Sequence, residues 1–398
     1  MNQKLLIVLS YWFSTFVEGA TRIIIPLYLT SIGITATKIA VIFFLFEAFG
    51  LFTNIYAGFF INRYGYKLSF VLSLLMHTCA SIIFVCVEPG MLPMTVLGIS
   101  SIAHSLRGVA KELIKTTSSA YIKQGESKSR VIQVLLGGKD TTKGIGILCG
   151  GFLLTWFNFH SSFYFLGMIT FCVLVVSILW IEDFREKKKA DFKDFWNPKS
   201  TMKTLAFSRA FLYAGRDFWL VVAIPVYASQ TNISQTEISG LLAFGLICFG
   251  LIQPSFGNFM KIKFSNKNKW KNTEVLWVLP AILAPIPLML LVTTLNIWSL
   301  AIIIAFYNIL AGMATVPHNS LHVKFARKKR ASVDISYYKT IGQIGKTIAV
   351  LASGYLFDVF GLTGCLIASS SSLFMSSVMS FSLRKTKQEQ ETVRKEKR

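Results

Sequence analysis

The segment EGATRIIIPLYLTSIGITATKIAVIFFLFEAFGLFTNIYAG at 18–58 returns 199 positions later as DFWLVVAIPVYASQTNISQTEISGLLAFGLICFGLIQPSFG at 217–257. Both copies begin with an acid, contain a Pro-x-Tyr motif eight residues later and end with a glycine. A parallel internal repeat in an apolar chain predicts two similar halves that move against each other around a central site. The matched pairs are Glu18 with Asp217, Pro26 with Pro225, Tyr28 with Tyr227, Thr37 with Thr236, Ile39 with Ile238 and Gly58 with Gly257.

A second block supports the repeat, because basic residues and a glycine recur in the same order in each half. Within it, a lysine precedes a glycine by eight residues in both copies. The pairs are Arg130 with Arg330, Lys139 with Lys339, Lys143 with Lys346 and Gly151 with Gly354.

The composition indicates an integral membrane protein. Hydrophobic residues make up 53% of the 398 residues, and the mean hydropathy is +0.55, which is more apolar surface than a soluble core of this size needs. A net charge of +22 also occurs in nucleic-acid-binding proteins, but here the Lys and Arg residues fall in particular loops without a binding motif. We therefore predict the lipid bilayer, and no nucleic acid, as a partner.

Several other functions lack their sequence signals. All six cysteines lie in apolar stretches without paired spacing, so the sequence predicts packing residues, no metal site and no cofactor. The chain has no P-loop, H-E-x-x-H helix or G-x-S-x-G elbow, so we expect neither an enzyme nor an ATP-driven pump. The first apolar segment contains Glu18 and Arg22 and lacks a cleavage site, which favours a membrane helix over a signal peptide.

A membrane-spanning helix needs about 20 mostly apolar residues, and twelve stretches come near that length. Cations concentrate in the loops on one side of these stretches. By the positive-inside rule, that side is the cytoplasm, and both termini lie there. We therefore expect a multi-pass protein of the cell (inner) membrane. The predicted spans are 5–29, 39–61, 66–87, 92–115, 131–156, 160–181, 205–228, 236–259, 275–293, 297–318, 332–357 and 362–383.

The spans divide into two bundles of six. We expect the protein to be a monomer. The predicted units are an N-terminal six-helix bundle at 1–181, a cytoplasmic linker at 182–204, a C-terminal six-helix bundle at 205–383 and a basic cytoplasmic tail at 384–398. The linker is rich in Lys and Arg and is most simply a solvated connector.

A motif between the second and third spans resembles the G-x-x-x-D-R-x-G-[RK]-[RK] signature of the major facilitator superfamily. It comprises Gly58, Asn62, Arg63, Gly65 and Lys67. The resemblance implies an all-α membrane fold of twelve transmembrane helices in two six-helix halves, with this motif as a conformational latch. Asn62 replaces the usual Asp, which weakens the expected latch, and an ordinary basic turn is the alternative.

Ionisable residues inside the spans are the candidates for a functional site. Each costs about 2.5–3.5 kcal/mol in the bilayer, so each is expected to face a polar cavity and to have a partner. The predicted substrate-binding residues are Arg22, Arg107, Lys111, Lys139, Lys143 and Arg216; the predicted proton-coupling residues or charge partners are Glu18, Glu47, Glu112 and Asp217.

The fourth, fifth and seventh spans contain more cations than acids. Seven Lys and Arg residues, including Lys115 and Arg209, stand against three acids. A bound anion would neutralise this excess, and arginine matches carboxylate or phosphate oxygens with two parallel hydrogen bonds. We therefore expect a multivalent organic anion as substrate, although helix-to-helix salt bridges would explain some of the charges, and Lys115 and Arg209 are near enough to a span end to snorkel. We favour proton coupling over anion exchange.

The same residues lie in segments that resemble a narrower group, the organoarsenical efflux permeases that export 1-arseno-3-phosphoglycerate. This resemblance implies export of that anion, arsenate resistance, and a functional link to a glyceraldehyde-3-phosphate dehydrogenase that would make the arseno-ester. The segments are Tyr11-Trp12 with Arg22, Phe44–Gly50, Gly108–Lys115, Lys139–Gly151 and Arg209–Tyr227.

Two alternatives are open at this point. An organophosphate or general organic-anion exchanger of the same fold would need the same cations. A membrane sensor without transport would instead bind a partner through the linker or the tail Arg384–Arg398.

Overall fold

The chain folds into a bundle of long helices. A computed structural model describes residues 3–88, 90–124, 129–182, 198–231, 233–264, 271–292, 297–325 and 331–396. Within these ranges every element of regular structure is an α-helix, as the sequence predicted. The helices are α1 (Gln3–Ser31), α2 (Ala36–Tyr64), α3 (Tyr66–Val85), α4 (Pro93–Gln124), α5 (Ser129–Trp156), α6 (Phe159–Trp180), α7 (Ser200–Leu220), α8 (Ala223–Ser229), α9 (Gln235–Phe264), α10 (Lys271–Leu283), α11 (Met289–Val292), α12 (Ile297–Phe325) and α13 (Ala331–Glu396).

The helices α1 to α6 correspond one to one to the first six predicted spans. In the second half the correspondence is less direct, because some spans are interrupted. The seventh span consists of α7 and α8, and the ninth consists of α10 and α11 on either side of Pro285 and Pro287. Helix α13 covers the last two spans, since its chain turns at Gly361 with a φ of 64°, a backbone conformation that glycine adopts readily.

The predicted linker and tail are only partly described. Helix α6 ends at Trp180 and α7 begins at Ser200, a turn earlier than the predicted end of the linker at 204. Residues 183–197 and 397–398 lie outside the described residues, as do the side chains of 384–398. The boundaries of the four predicted units therefore remain predictions.

The outer surface of the bundle is apolar. Seven helical segments of the described chain are long and apolar enough to cross a membrane by length and composition. Large side chains such as Phe52, Tyr164, Met168 and Trp298 are at least 60% exposed, which would be unfavourable in water and is expected against lipid. Helices α1, α4 and α5 are not among the seven, and they carry many of the buried charges described below.

Glycines allow the helices within the first half to approach closely. A Cβ atom at Gly108 would collide with the backbone carbonyl of Phe46, so only glycine fits where α4 crosses α2. Gly146 on α5 meets the carbonyl of Phe16 on α1 in the same way. Close contacts at small residues are typical of helix packing in membranes, where the hydrophobic effect does not drive association.

The two halves meet through equivalent surfaces. Helix α5 packs on α9 of the opposite half, and the first arm of α13 (331–360) packs on α2. The repeated glycines lie at these contacts, because Gly151 faces Ser239 on α9 and Gly354 faces Ala40 on α2. The repeat in the sequence therefore corresponds to a pair of related interfaces in the structure.

The halves are joined at one end of the bundle, the end at which α1 finishes and α2 begins, which we call the far end. The carboxylate of Asp358 on α13 accepts hydrogen bonds from the backbone N–H groups of Ala36 and Thr37, at 3.1 and 2.8 Å. It caps α2 from the opposite half, while the residue at the N-cap of α2, Thr35, makes no capping bond of its own. We call the opposite end, where α6 finishes beside the start of α1, the linker end.

Asp358→Ala should open the far end more often. A helix cap contributes about 1 kcal/mol, so its loss should shift the equilibrium between closed and open far ends about fivefold. Spin labels can be placed at Ser31 and Gln230, which are exposed and equivalent positions of the two halves. Double electron–electron resonance should then show a larger fraction of molecules with a long distance between the labels. The matched control is Glu237→Gln, which removes a far-end acid that bonds Ser234 of its own half; equal spectra for wild type and Asp358→Ala would refute a capping role across the halves.

Candidate functional site

A cavity of about 520 Å³ lies between the two halves. Its walls come from α1, α2, α4 and α5 on one side and from α7, α8, α9, α12 and α13 on the other. The lining extends through residues near the linker end, such as Lys115, Arg209 and His322, and its deepest part includes Arg22 and Pro225. Because the halves are joined at the far end, the cavity faces the linker end.

Cations dominate the polar lining. Among the described residues, nine Lys and Arg side chains line the cavity against four Asp and Glu side chains. Counting Glu47 as a fifth acid, because it contacts two of the lysines, still leaves a formal excess of four positive charges. The cation excess that the sequence predicted is therefore present at the cavity wall.

Glu47 is the acid that connects the two halves. It lies on α2, is 2% exposed, and accepts a hydrogen bond from Lys111 of α4 at 3.3 Å. From the opposite half, Lys346 and Gln343 of α13 both donate to its carboxylate. One carboxylate thus joins three helices and both halves at the cavity wall.

The acids that begin the two repeat copies have related surroundings. Glu18 on α1 forms an ion pair with Lys143 on α5. Asp217 on α7 accepts a hydrogen bond from Arg216 at 2.7 Å and lies 3.9 Å from Lys346. Because Lys346 is the repeat equivalent of Lys143, each half places its first-helix acid beside the lysine of its fifth helix.

The remaining predicted charges on α4 and α5 pair locally. Glu112 is within 2.8 Å of Lys115 and 3.6 Å of Lys111. Lys139 and Asp140 on α5 are 4.0 Å apart. Lys111, Lys115 and Lys139 therefore lie at the cavity, each near at least one acid.

Arg22 differs from these lysines. It lines the deep part of the cavity, and the described part of the chain places no carboxylate within ion-pair distance of it. Arginine in a low-dielectric wall without a carboxylate partner is a natural ligand for an anion with two oxygens.

Arg107 does not reach the cavity. Its side chain is fully buried, donates to the backbone carbonyl of Val17 at 2.9 Å, and borders a void of about 10 Å³ beside His104. Each step of four residues turns a helix by about 40°, so Arg107 points about 80° away from Lys115 and into the wall between α1, α2 and α4. Arg107 is thus absent from the wall of the large cavity, although Arg22 and Glu18 border the same small void.

The motif between α2 and α3 contains a glycine turn. Gly65 has a φ of 90°, which explains why glycine is needed between the two helices. Arg63 is exposed and lies over the ring of Tyr64, with 5.4 Å to its centroid, and Lys67 follows in the first turn of α3. The surroundings of Gly58 and the side chain of Asn62 lie outside what the structure describes, so the predicted latch remains a prediction.

Several lining residues in the second half were not predicted from the sequence. Lys346, Gln343 and Lys339 on α13 line the cavity, and Lys346 bonds two acids. The repeat already paired Lys346 with Lys143 and Lys339 with Lys139, so that signal was sufficient to predict them. Gln343 has no such signal, because a single amide in an apolar helix is not distinctive.

The described residues contain no group of three or more His, Cys, Asp and Glu side chains that could hold a metal ion. Besides its charged residues, the cavity is lined by amides and tyrosines such as Gln343 and Tyr213, whose N–H and O–H groups can donate hydrogen bonds.

Comparison with known proteins identifies the fold. A family model described as Major Facilitator Superfamily matches residues 7–350 and 210–398. A solved structure described as a POT family transporter in complex with 5-aminolevulinic acid is similar with a TM-score of 0.74 at 13% identity, over 94% of each chain. No curated protein matches the sequence. The predicted all-α membrane fold with two six-helix halves is confirmed.

Glu47→Gln should destabilise the protein and should be coupled to Lys346. Removing one member of a buried ion pair costs about 3–5 kcal/mol, because the other charge loses its partner, so we expect the thermal midpoint in detergent to fall by roughly 5 °C or more. The double variant Glu47→Gln with Lys346→Met should lose less than the two single variants together.

The control for this cycle is Lys203→Met, since Lys203 is exposed on α7 and does not line the cavity. Its thermal midpoint should equal that of the wild type. Additive losses in the Glu47 and Lys346 variants would contradict a direct interaction between the halves at this point.

Proposed function

The chain belongs to the major facilitator superfamily of membrane transporters, and we propose that it exports a multivalent organic anion, 1-arseno-3-phosphoglycerate, by alternating access. The main support for the proposal is the excess of positive charge in the cavity between the two halves. In the described residues, Asp358 joins the halves at the far end, which leaves the cavity facing the linker end. Such a cavity is most economically neutralised by a bound anion.

The size and chemistry of the cavity suit a small anion with several charged groups. A volume of about 520 Å³ is within the range of small-molecule sites and exceeds what a three-carbon ester needs. Cations come from both halves, with Arg22 and Lys143 on one side and Arg216 and Lys346 on the other. An anion with two or three charged ends could therefore contact both halves at once.

Binding of such an anion would favour movement of the halves. In the unbound protein, closing the linker end would bring two cationic walls together, which electrostatic repulsion opposes. A bound anion adds negative charge between the walls and removes that repulsion, so it binds the closed form more tightly and shifts the population towards it. Opening of the far end, with loss of the contacts at Asp358, would complete the transport step.

The direction and the substrate rest on sequence. The positive-inside rule puts the linker end in the cytoplasm, so the described conformation would receive substrate from the cytoplasm. Resemblance to the organoarsenical permeases supplies 1-arseno-3-phosphoglycerate, whose carboxylate, phosphate and arsenate groups match a cation-rich cavity. A glyceraldehyde-3-phosphate dehydrogenase acting on arsenate would provide this ester.

The four carboxylates were predicted to act either in proton coupling or as charge partners, and their contacts favour the role of charge partner. Glu18, Glu47, Glu112 and Asp217 each contact a Lys or Arg side chain. This is the arrangement expected of charge partners, which hold the cations in position until an anion arrives. Proton coupling through any of them remains a hypothesis.

Expression of the chain in an arsenic-sensitive bacterium should increase survival on arsenate and lower cell-associated arsenic, but only together with a glyceraldehyde-3-phosphate dehydrogenase. Omission of the dehydrogenase is the internal control, since the ester would then be scarce. Absence of protection despite confirmed membrane expression would exclude the arseno-ester and favour an organophosphate or other organic-anion exchanger.

Lys143→Ala and Arg216→Ala should each abolish this protection while the protein remains in the membrane, because each removes a cation from one wall of the cavity. Lys203→Ala is the matched control, as it removes an exposed cation from α7. Export that persists in both cavity variants, at equal membrane levels measured by immunoblot, would rule out this binding site.

A further inference from the structure

Arg209 lies on the cavity wall between the deep site and the linker end. It precedes Arg216 on α7 by seven residues, which is about 10 Å along a helix, and both side chains line the cavity. An anion that enters from the linker end therefore reaches the level of Arg209 before that of Arg216.

Two tyrosines hold the guanidinium of Arg209. Its central carbon lies 4.6 Å from the ring centroid of Tyr213 and 4.5 Å from that of Tyr338, and Nη2 donates a hydrogen bond to the Tyr213 hydroxyl at 2.7 Å. The ring of Tyr338 is in turn stacked on His322, with centroids 4.8 Å apart and planes at 6°. Cation–π contacts of this kind stabilise and orient an arginine without neutralising it.

A glycine provides the space for this side chain. A Cβ atom at Gly342 on α13 would lie 3.0 Å from Cδ and 3.1 Å from Nε of Arg209, closer than ordinary van der Waals contact. The stem of Arg209 thus packs against the backbone of the first arm of α13 instead of extending towards the membrane surface. Snorkelling, which explained Arg209 from sequence equally well, does not describe this geometry.

Arg209 also keeps unused hydrogen-bonding capacity. Its Nε is buried and has no hydrogen-bond partner, and within the described ranges no carboxylate is within ion-pair distance of the guanidinium. By contrast, Arg216 donates to Asp217 at 2.7 Å. The buried Nε packs beside Gly342 and is out of reach of an anion in the cavity. The rest of the guanidinium belongs to a side chain that lines the cavity, is only partly buried and has no carboxylate partner in the described ranges, which suits it to an oxyanion.

We propose that Arg209, held by Tyr213, Tyr338 and Gly342, is an entrance subsite that binds the phosphate or carboxylate group of the anion before it reaches Arg216 and Lys143. The inference rests on the proposed transport of an organic anion. The subsite increases the affinity for the incoming anion, whereas the deep cations contact it during the movement of the halves.

The test is calorimetric titration of the purified full-length protein with 3-phosphoglycerate. Arg209→Ala should weaken binding about tenfold, as expected for loss of a charge-assisted contact. Arg209→Lys should recover only part of the affinity, because lysine keeps the charge but lacks the planar fork. Titration with glycerol 3-phosphate and with glycerate shows which group Arg209 binds. Of these two ligands, only the one that carries this group, phosphate or carboxylate, should lose affinity in Arg209→Ala.

A second variant tests the geometry without removing charge. Gly342→Ala should also weaken 3-phosphoglycerate binding, because the added methyl group displaces the Arg209 stem. Gly240→Ala is its matched control, as a Cβ atom there meets nothing within 4 Å, and Lys203→Ala controls for loss of a cation from α7. Both controls should bind as the wild type does.

Three results would overturn the proposal. Wild-type affinity in Arg209→Ala and Gly342→Ala would remove Arg209 from the path while the proposed function stands. Full affinity in Arg209→Lys would show that charge alone matters and that the tyrosine-held fork does not. A wild-type protein that binds none of the three anions would contradict the proposed function itself.

Discussion

The buried carboxylate of Glu47 is the interaction on which the arrangement of the two halves depends. It accepts hydrogen bonds from Lys111 of its own half and from Lys346 and Gln343 of the other. A charge in the hydrocarbon region costs several kcal/mol unless it is paired, so this acid cannot leave one lysine without gaining another partner. The halves are thereby held in register around a cavity whose other acids, Glu18, Glu112, Asp140 and Asp217, are each paired with a cation in the same way.

The same constraint explains why the cavity is suited to transport. Five acids, Glu47 included, do not satisfy nine cations, so part of the positive charge depends on water or on a bound anion. At the far end, Asp358 and close glycine contacts join the halves; at the linker end the cavity lining continues. A substrate that compensates the cations changes the relative stability of the conformations open at the linker end and open at the far end. Alternating access requires such a change.

Much of the fold was predictable from the sequence, and less of the site. Repetition and apolar length predicted twelve spans, and the repeat paired Lys143 with Lys346, whose contacts prove equivalent. Arg107 lies off the wall of the large cavity, because residues four apart on a helix drift around its axis by about 40°. The sequence does not show which neighbours such a residue meets. The contact of Glu47 with Lys346 joins positions 299 apart, and neither helix alone indicates it. The role of Arg209 depends on Gly342 of another helix, which again only the fold brings near.

The excess positive charge of the cavity should make it bind anions in preference to neutral molecules. The most direct test is equilibrium binding to the purified protein across neutral glycerol, singly charged glycerate and 3-phosphoglycerate, at one ionic strength and again at higher salt. A cavity with excess positive charge should not bind glycerol, should bind more tightly with each added negative charge on the ligand, and should bind more weakly at higher salt. Affinity that is independent of ligand charge and of salt would contradict this expectation.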